Sequence, residues 1–248
     1  MTTTPNPNRN VPWSRSWTLA SVTVQPLKRR RAPRGSGEHL REEILDAATD
    51  LLLETGHAKA VSIRSVAQRV GVTPPSIYLH FADKDALLDA VCARYFERLD
   101  EVMQQVAADE SSNIDRLRVQ GLAYVRFATQ TPELYRIAMM GEGRLGSDVD
   151  MTLNSSAFVH MRNSVETLMA DGVYPPGDAT MAALELWTVA HGVAAQLISR
   201  PYLPFGDVEE FANRVLSAVC LGQIACGVMG TDTPPTEAVA RIKEQARG

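Results

Sequence analysis

The sequence predicts an all-α chain in which a small N-terminal unit of three helices precedes a larger helical domain. Three features predict it. From Gly37 onward, apolar residues recur at spacings of three and four in one segment after another, the period of a helix with one buried face. Capping residues and glycine or proline stops bound those segments. No stretch shows the two-residue alternation of a strand or the turn signal of a hairpin.

Residues 1–37 come first and differ in kind. They are rich in proline and lack helical periodicity, so they read as an extension disordered in isolation. They end in a basic cluster, Lys28, Arg29, Arg30, Arg31 and Arg34, broken by Pro33. That cluster is either a solvated tail or an arm that lies in a DNA minor groove, with Arg30 and Arg31 as its contacts.

The first helix carries Leu40, Ile44, Ala47, Ala48, Leu51 and Leu52 and closes at Gly56. Ser62 caps a short second helix with Ile63, Val66, Ala67 and Val70 inward, stopped at Gly71. Thr73 caps a third, with Pro74 at its first position, where a missing amide costs nothing. Asp83 then caps a long fourth helix through Leu87, Leu88, Val91, Tyr95, Leu99 and Val102. Past the polar break at 109–113, helices are expected over 114–130, 132–140, 152–171, 178–200 and 207–229, punctuated by Pro132, Pro175, Pro176, Pro201 and Pro204. The division that follows is an extension at 1–37, a unit at 38–84, a larger domain at 85–230 and a tail at 231–248.

Composition narrows the class. A chain of 248 residues with 45% hydrophobic content can bury a real core. No uninterrupted apolar run reaches eighteen residues, and the first forty residues mix Pro, Arg, Ser and Thr instead of forming a signal-peptide core. The expectation is a soluble cytoplasmic protein with no membrane partner. Cys92, Cys220 and Cys226 have no paired spacing, and the last two fall on roughly opposite faces of one helix. Neither a metal, a disulfide nor a cofactor is expected, in keeping with a reducing compartment.

Charge is unevenly placed. The net charge is −4, yet residues 28–84 hold ten Lys/Arg against seven Asp/Glu, a local +3. Between Thr55 and Ala82 there is no acidic residue at all. A cation-only stretch in an acidic protein is the footprint of a surface that faces a polyanion.

The same stretch holds two short helices joined by a tight turn at Gly71 and Val72, a helix-turn-helix that offers its second helix to a major groove. Val66, Ala67, Val70, Val72, Ile77 and Phe81 make the small core that sets the interhelical angle, and Arg64, Thr73, Ser76, Tyr78 and His80 point outward.

The run Gly71-Val-Thr-Pro-Pro-Ser-Ile-Tyr-Leu-His-Phe-Ala-Asp-Lys-Asp-Ala-Leu-Leu88 resembles the signature of the TetR family, whose recognition helix ends in Tyr-x-His/Tyr-Phe and runs into a helix opening Lys-x-x-Leu. With the first helix, the match covers about 38–88. The resemblance implies a homodimeric regulator of double-stranded DNA in which Ser62 meets a phosphate and Arg64 reaches a guanine edge. It further implies that Thr73, Pro74 and Ser76 touch bases or backbone, and that Tyr78, His80 and Lys84 hold phosphates. Phosphate contacts position such a protein and base contacts specify its site. Pro74 and Pro75 depart from a hydrogen-bonding reader, because they offer apolar contact only, for instance to a thymine methyl.

Further on, Leu117–Met139 and Trp187-Thr-Val-Ala-His-Gly192 resemble a TetR C-terminal subfamily named for its Trp-His-Gly motif. That resemblance implies a ligand pocket for a small-molecule effector and a dimer formed by the last two long helices. The helix over 178–200 is apolar on most faces, which demands burial against its own domain and something else. A two-fold copy would complete a four-helix bundle, with Gly192, Ala194 and Ala195 allowing close approach; a central helix of a monomer is the alternative. Candidate pocket residues are Tyr124, Phe127, Tyr135, Met139, Met140, Phe158, Met161, Trp187 and His191, since methionines and aromatics suit an adaptable apolar cavity as well as they suit a core. The glycine-rich segment 141–150 reads as a connection near the pocket mouth.

The leading expectation is a repressor released from DNA by a lipophilic ligand. An activator or ligand-independent regulator on the same scaffold stays open. A helical enzyme has little to recommend it, because no nucleophile–base pair, metal spacing or nucleotide loop is evident.

Overall fold

The computed structural model describes residues 37–140 and 155–245. Within them the fold is helical, with no strand among the described residues. The helices are α1 (Gly37–Thr55), α2 (Ile63–Val70), α3 (Pro74–Tyr78), α4 (Lys84–Ala108), α5 (Asn113–Gln130), α6 (Pro132–Met140), α7 (Ser156–Ala170), α8 (Ala179–Ser199), α9 (Val208–Met229) and α10 (Pro235–Gln245). The basic arm with Arg30 and Arg31, and the segment 141–150, lie outside the described residues.

The caps explain most boundaries. Ser62 accepts the Ser65 amide at 3.0 Å while the Ser65 hydroxyl accepts the Ser62 amide at 2.9 Å, a reciprocal capping box that starts α2. Gly71 ends α2 in the left-handed region (φ 77°, ψ 33°), a conformation costly for any residue with a Cβ. Asp83 accepts the Ala86 amide at 2.7 Å to begin α4, and Asp178 and Asp207 do the same for α8 and α9. Thr73 departs from expectation. It occupies the N-cap of α3 but makes no side-chain cap bond; its hydroxyl lies 3.1 Å from that of Ser76. Pro74 and Pro75 have no amides to donate, so the first free amide of α3 is that of Ser76, and it goes to the Thr73 carbonyl at 2.9 Å.

Three corrections to the sequence reading concern local structure. Ala58–Ala60 form a 3-10 turn between α1 and α2. The expected tail contains a helix, α10, whose Arg241 donates to the Met229 carbonyl at 3.1 Å and so ties it to the end of α9. Ala194 is fully buried within its own chain, on the stripe with Ala190, Val193 and Leu197, whereas Gly192 is exposed. Small size at 194 therefore serves the internal packing of α8.

α5 stands at the centre and touches α4, α6, α7, α8 and α9, while α1 packs on α2, α4 and α6. One hydrophobic core runs unbroken from α1, α2 and α3 through Leu87, Val91, Tyr95 and Leu99 of α4 into α5, α6 and α8. A second, smaller core joins Leu117 of α5 to α7, α8 and Cys220 of α9. The boundary expected at 84/85 thus falls at the first turn of one continuous 25-residue helix, and apolar packing crosses it.

Candidate nucleic-acid interface and effector cavity

The head is a small hub with a polar rim. Val66, Ala67, Ile77 and Phe81 are buried and fix α2 against α3. Around them Ser62, Arg64, Thr73, Pro74 and Tyr78 are exposed, and Ser76 and His80 are half-buried. Of the outward set expected from sequence, Arg64, Thr73 and Tyr78 face solvent, and Ser76 and His80 do so in part. Arg64 has no ion-pair partner among the described residues, so its guanidinium is available to a ligand. Arg69, the next cation, is taken up by Glu54 and lies 3.8 Å from Asp50, both on α1, which raises its pKa further and locks α2 to α1.

Lys84 does not stand free. It is half-buried and its Nζ donates to the Ala58 carbonyl at 2.7 Å, pinning the 3-10 turn to the start of α4. Among the exposed side chains here that the sequence reading passed over are Lys59, on that turn, and Leu79, which is 84% exposed. The absence of acids from 55–82 could have flagged Lys59, and the spacing of two from the inward Ile77 and Phe81 could have flagged Leu79.

The second candidate site is an apolar cavity of about 40 Å³ between α4, α5, α6, α7, α8 and α9. Of the expected pocket residues, Tyr124, Met139, Phe158, Met161 and Trp187 line it. The side chain of Met140 lies outside the described residues. Phe127, Tyr135 and His191 are not on its wall. Phe127 turns toward α4, its ring 5.0 Å from that of Tyr95. The sequence reading missed the opposite wall, Phe96, Leu99 and Met103 of α4 and Leu216, Val219 and Cys220 of α9. Arg118 is the cation at its edge, held by Asn213 at 2.8 Å and near Asp115 at 3.5 Å.

Tyr135 and His191 instead form a polar knot behind the cavity. The Tyr135 hydroxyl lies 2.9 Å from His191 Nδ1 and 3.2 Å from the His191 carbonyl, the Tyr124 hydroxyl lies 3.3 Å from the same Nδ1, and the Trp187 ring stacks on the imidazole at 4.9 Å. Burial pushes the Tyr135 phenol up to about 12 and raises Tyr124 well above its usual value, so both remain donors at neutral pH. Burial also lowers the His191 pKa, which favours the neutral ring.

A helix-turn-helix whose exposed Arg64 has no ion-pair partner among the described residues, continued by one helix into a domain with an internal cavity, has the architecture of a DNA-binding regulator. Two family models match the chain: bacterial regulatory proteins of the tetR family over residues 44–91, and the tetracyclin repressor-like C-terminal domain over 117–219. Together they span more than half of it, and the chain belongs to the TetR family of DNA-binding transcriptional regulators. Trp187-Thr-Val-Ala-His-Gly192 falls inside the second match. Among relatives, the nucleoid occlusion factor SlmA of Pectobacterium carotovorum is 25% identical over 179 residues, 70% of this chain and 90% of that protein. A solved Rhodococcus protein of unknown function is 27% identical with a TM-score of 0.65, covering 75% of this chain and 95% of its own. A TetR-family regulator from Pectobacterium atrosepticum shares the fold at 20% identity and a TM-score of 0.58, covering 77% and 95%.

Proposed function

We propose that this regulator is a homodimeric repressor that a small lipophilic effector releases from a palindromic operator. One observation carries the reading. α4 begins at the reading head, with its Asp83 cap and buried Leu87, and its other half supplies Phe96, Leu99 and Met103 to the cavity wall. The cavity, about 40 Å³, is far below the roughly 300–1,000 Å³ of ligand pockets, so an effector enters only by moving its walls, and the α4 face is one of them. Displacing α4 re-aims the head, and two heads must meet major grooves about 34 Å apart. The ligand thereby selects a dimer geometry that DNA does not accept.

The second copy is inferred from α9. Only Ala212, Leu216 and Cys220 of it are buried, while Leu221 is 63% and Val228 is 71% exposed. α8 and α9 are also long and apolar enough, by length and average composition, to cross a membrane; we read them as bundle helices that pair with a partner copy, in a protein working at the nucleoid. We read the chain as a regulator without catalytic activity. On DNA, Arg64 takes a base edge, Thr73, Pro74 and Ser76 line the groove, and Ser62, Tyr78 and His80 hold phosphates. Lys84 joins the phosphate set only by leaving the Ala58 carbonyl.

The test is protection of the DNA upstream of the protein's own gene by purified full-length chain, repeated with a series of fatty acids and acyl thioesters. A protected palindrome lost on adding one of them supports the reading. Protection that survives the whole series favours a ligand-independent regulator, which the small cavity and the nucleoid occlusion relatives also suit. No protection of any duplex sinks both.

A further inference from the structure

The recognition helix carries an apolar ridge that the polar contacts above do not use. Pro75 and Leu79 stand two residues either side of the buried Ile77, so at 100° per residue each lies about 160° around the helix from it. Leu79 continues the helical turn (φ −70°, ψ −21°), and i and i+4 positions share a face. Both side chains are exposed, Leu79 more than any other large apolar residue of the head. The ridge thus points directly away from the hub, along the line on which α3 would enter a groove. It lies in the acid-free stretch 55–82, whose charge complements a polyanion.

We propose that Pro75 and Leu79 form a methyl-reading surface, and that each operator half-site presents a thymine C5-methyl group to it. The inference rests on α3 being the DNA reader. In the major groove every base edge offers hydrogen-bonding atoms, and the thymine methyl is the apolar group available to a leucine there. Pro75 has no amide and Leu79 no polar side-chain atom, so the ridge can discriminate by that contact alone. The specificity of the site is then shared: Arg64 takes its polar edge and Leu79 its methyl.

The experiment selects binding sites from a random duplex library with the full-length protein, then replaces each thymine of the selected site by deoxyuridine, which removes the methyl and keeps the pairing edge. Wild type is expected to lose roughly fourfold in affinity at one position per half-site, and about fifteenfold when both are changed, the worth of one buried methyl group each. In Leu79→Ala the deoxyuridine penalty at that position should shrink to less than half of the wild-type value, Pro75 alone remaining. Because Leu79 is exposed, this variant folds as wild type does, which thermal melting checks. A wild type indifferent to deoxyuridine everywhere overturns the proposal, as does a penalty of equal size in Leu79→Ala. Failure to enrich any sequence is a different result and overturns the DNA-reading role itself.

Discussion

Replacing Phe81 by alanine removes the ring that closes the hub between α2 and α3. The ring is 4% exposed and packs in the core with Val66 and Ile77, and the Arg41 guanidinium sits 5.3 Å from its centroid. Phe-to-Ala changes in packed cores cost about 3–5 kcal/mol, and a partly exposed cation–π contact adds about 0.5–1. Against the roughly 5–15 kcal/mol that holds a typical domain, that is a large fraction. Because the hub belongs to the core that continues along α4 into α5 and α6, the loss should be felt globally, not only in the head. For a chain of this size the melting temperature should fall by roughly 10 °C. Leu79→Ala, two residues away but exposed, should shift it by no more than about 2 °C. Calorimetry at one fixed protein concentration separates the two, since dimer stability follows mass action. Equal melting of Phe81→Ala and wild type would refute the account of the hub as a rigid mount.

Other consequences are as direct. Arg64→Ala should reduce discrimination between operator and random duplex by about five- to 150-fold, the worth of a bidentate guanine contact, while leaving non-specific binding nearly intact; equal loss of both in a competition assay removes its base-reading role. His191 has a folded-state pKa below the unfolded value of about 6.5, so the unfolded chain binds the proton more readily. Its contribution to stability is complete above about pH 6.5 and is lost as pH falls below it; urea midpoints at pH 7.5 and 5.5 should converge in His191→Gln relative to wild type, and an unchanged acid loss would count against the knot. Val228→Asp places a charge on the open face of α9 and should yield monomers by light scattering; an intact dimer would put the interface elsewhere.

How far the sequence revealed this molecule depended on what each signal encodes. Capping chemistry is local, so Ser62 and Asp83 marked helix starts that the fold reproduces. Periodicity tells which face of a helix is apolar but not what stands opposite it. Leu99 therefore read as part of the stripe of a long helix, and Phe96 and Met103 were passed over, although all three form a cavity wall. Tyr135 and His191 had the residue types of a pocket and turned out to satisfy one another. α10 was read as tail despite the Pro235 start and Glu237 in its first turn, because its few apolar residues meet no core. Leu79 was legible as well, since it stands two residues from both Ile77 and Phe81 and so falls opposite the buried face by helical period alone.

The unbroken core along α4 has a consequence for exchange of parts. A hybrid that grafts a foreign reading head at residue 84 would sever the packing of Leu87 and Val91 with α1 and strip the two salt links from Arg94 to Glu42 and Asp46. Heads of this protein are transplantable only together with the first half of the helix that carries them, so the seam for any chimera lies within α4, beyond Arg94.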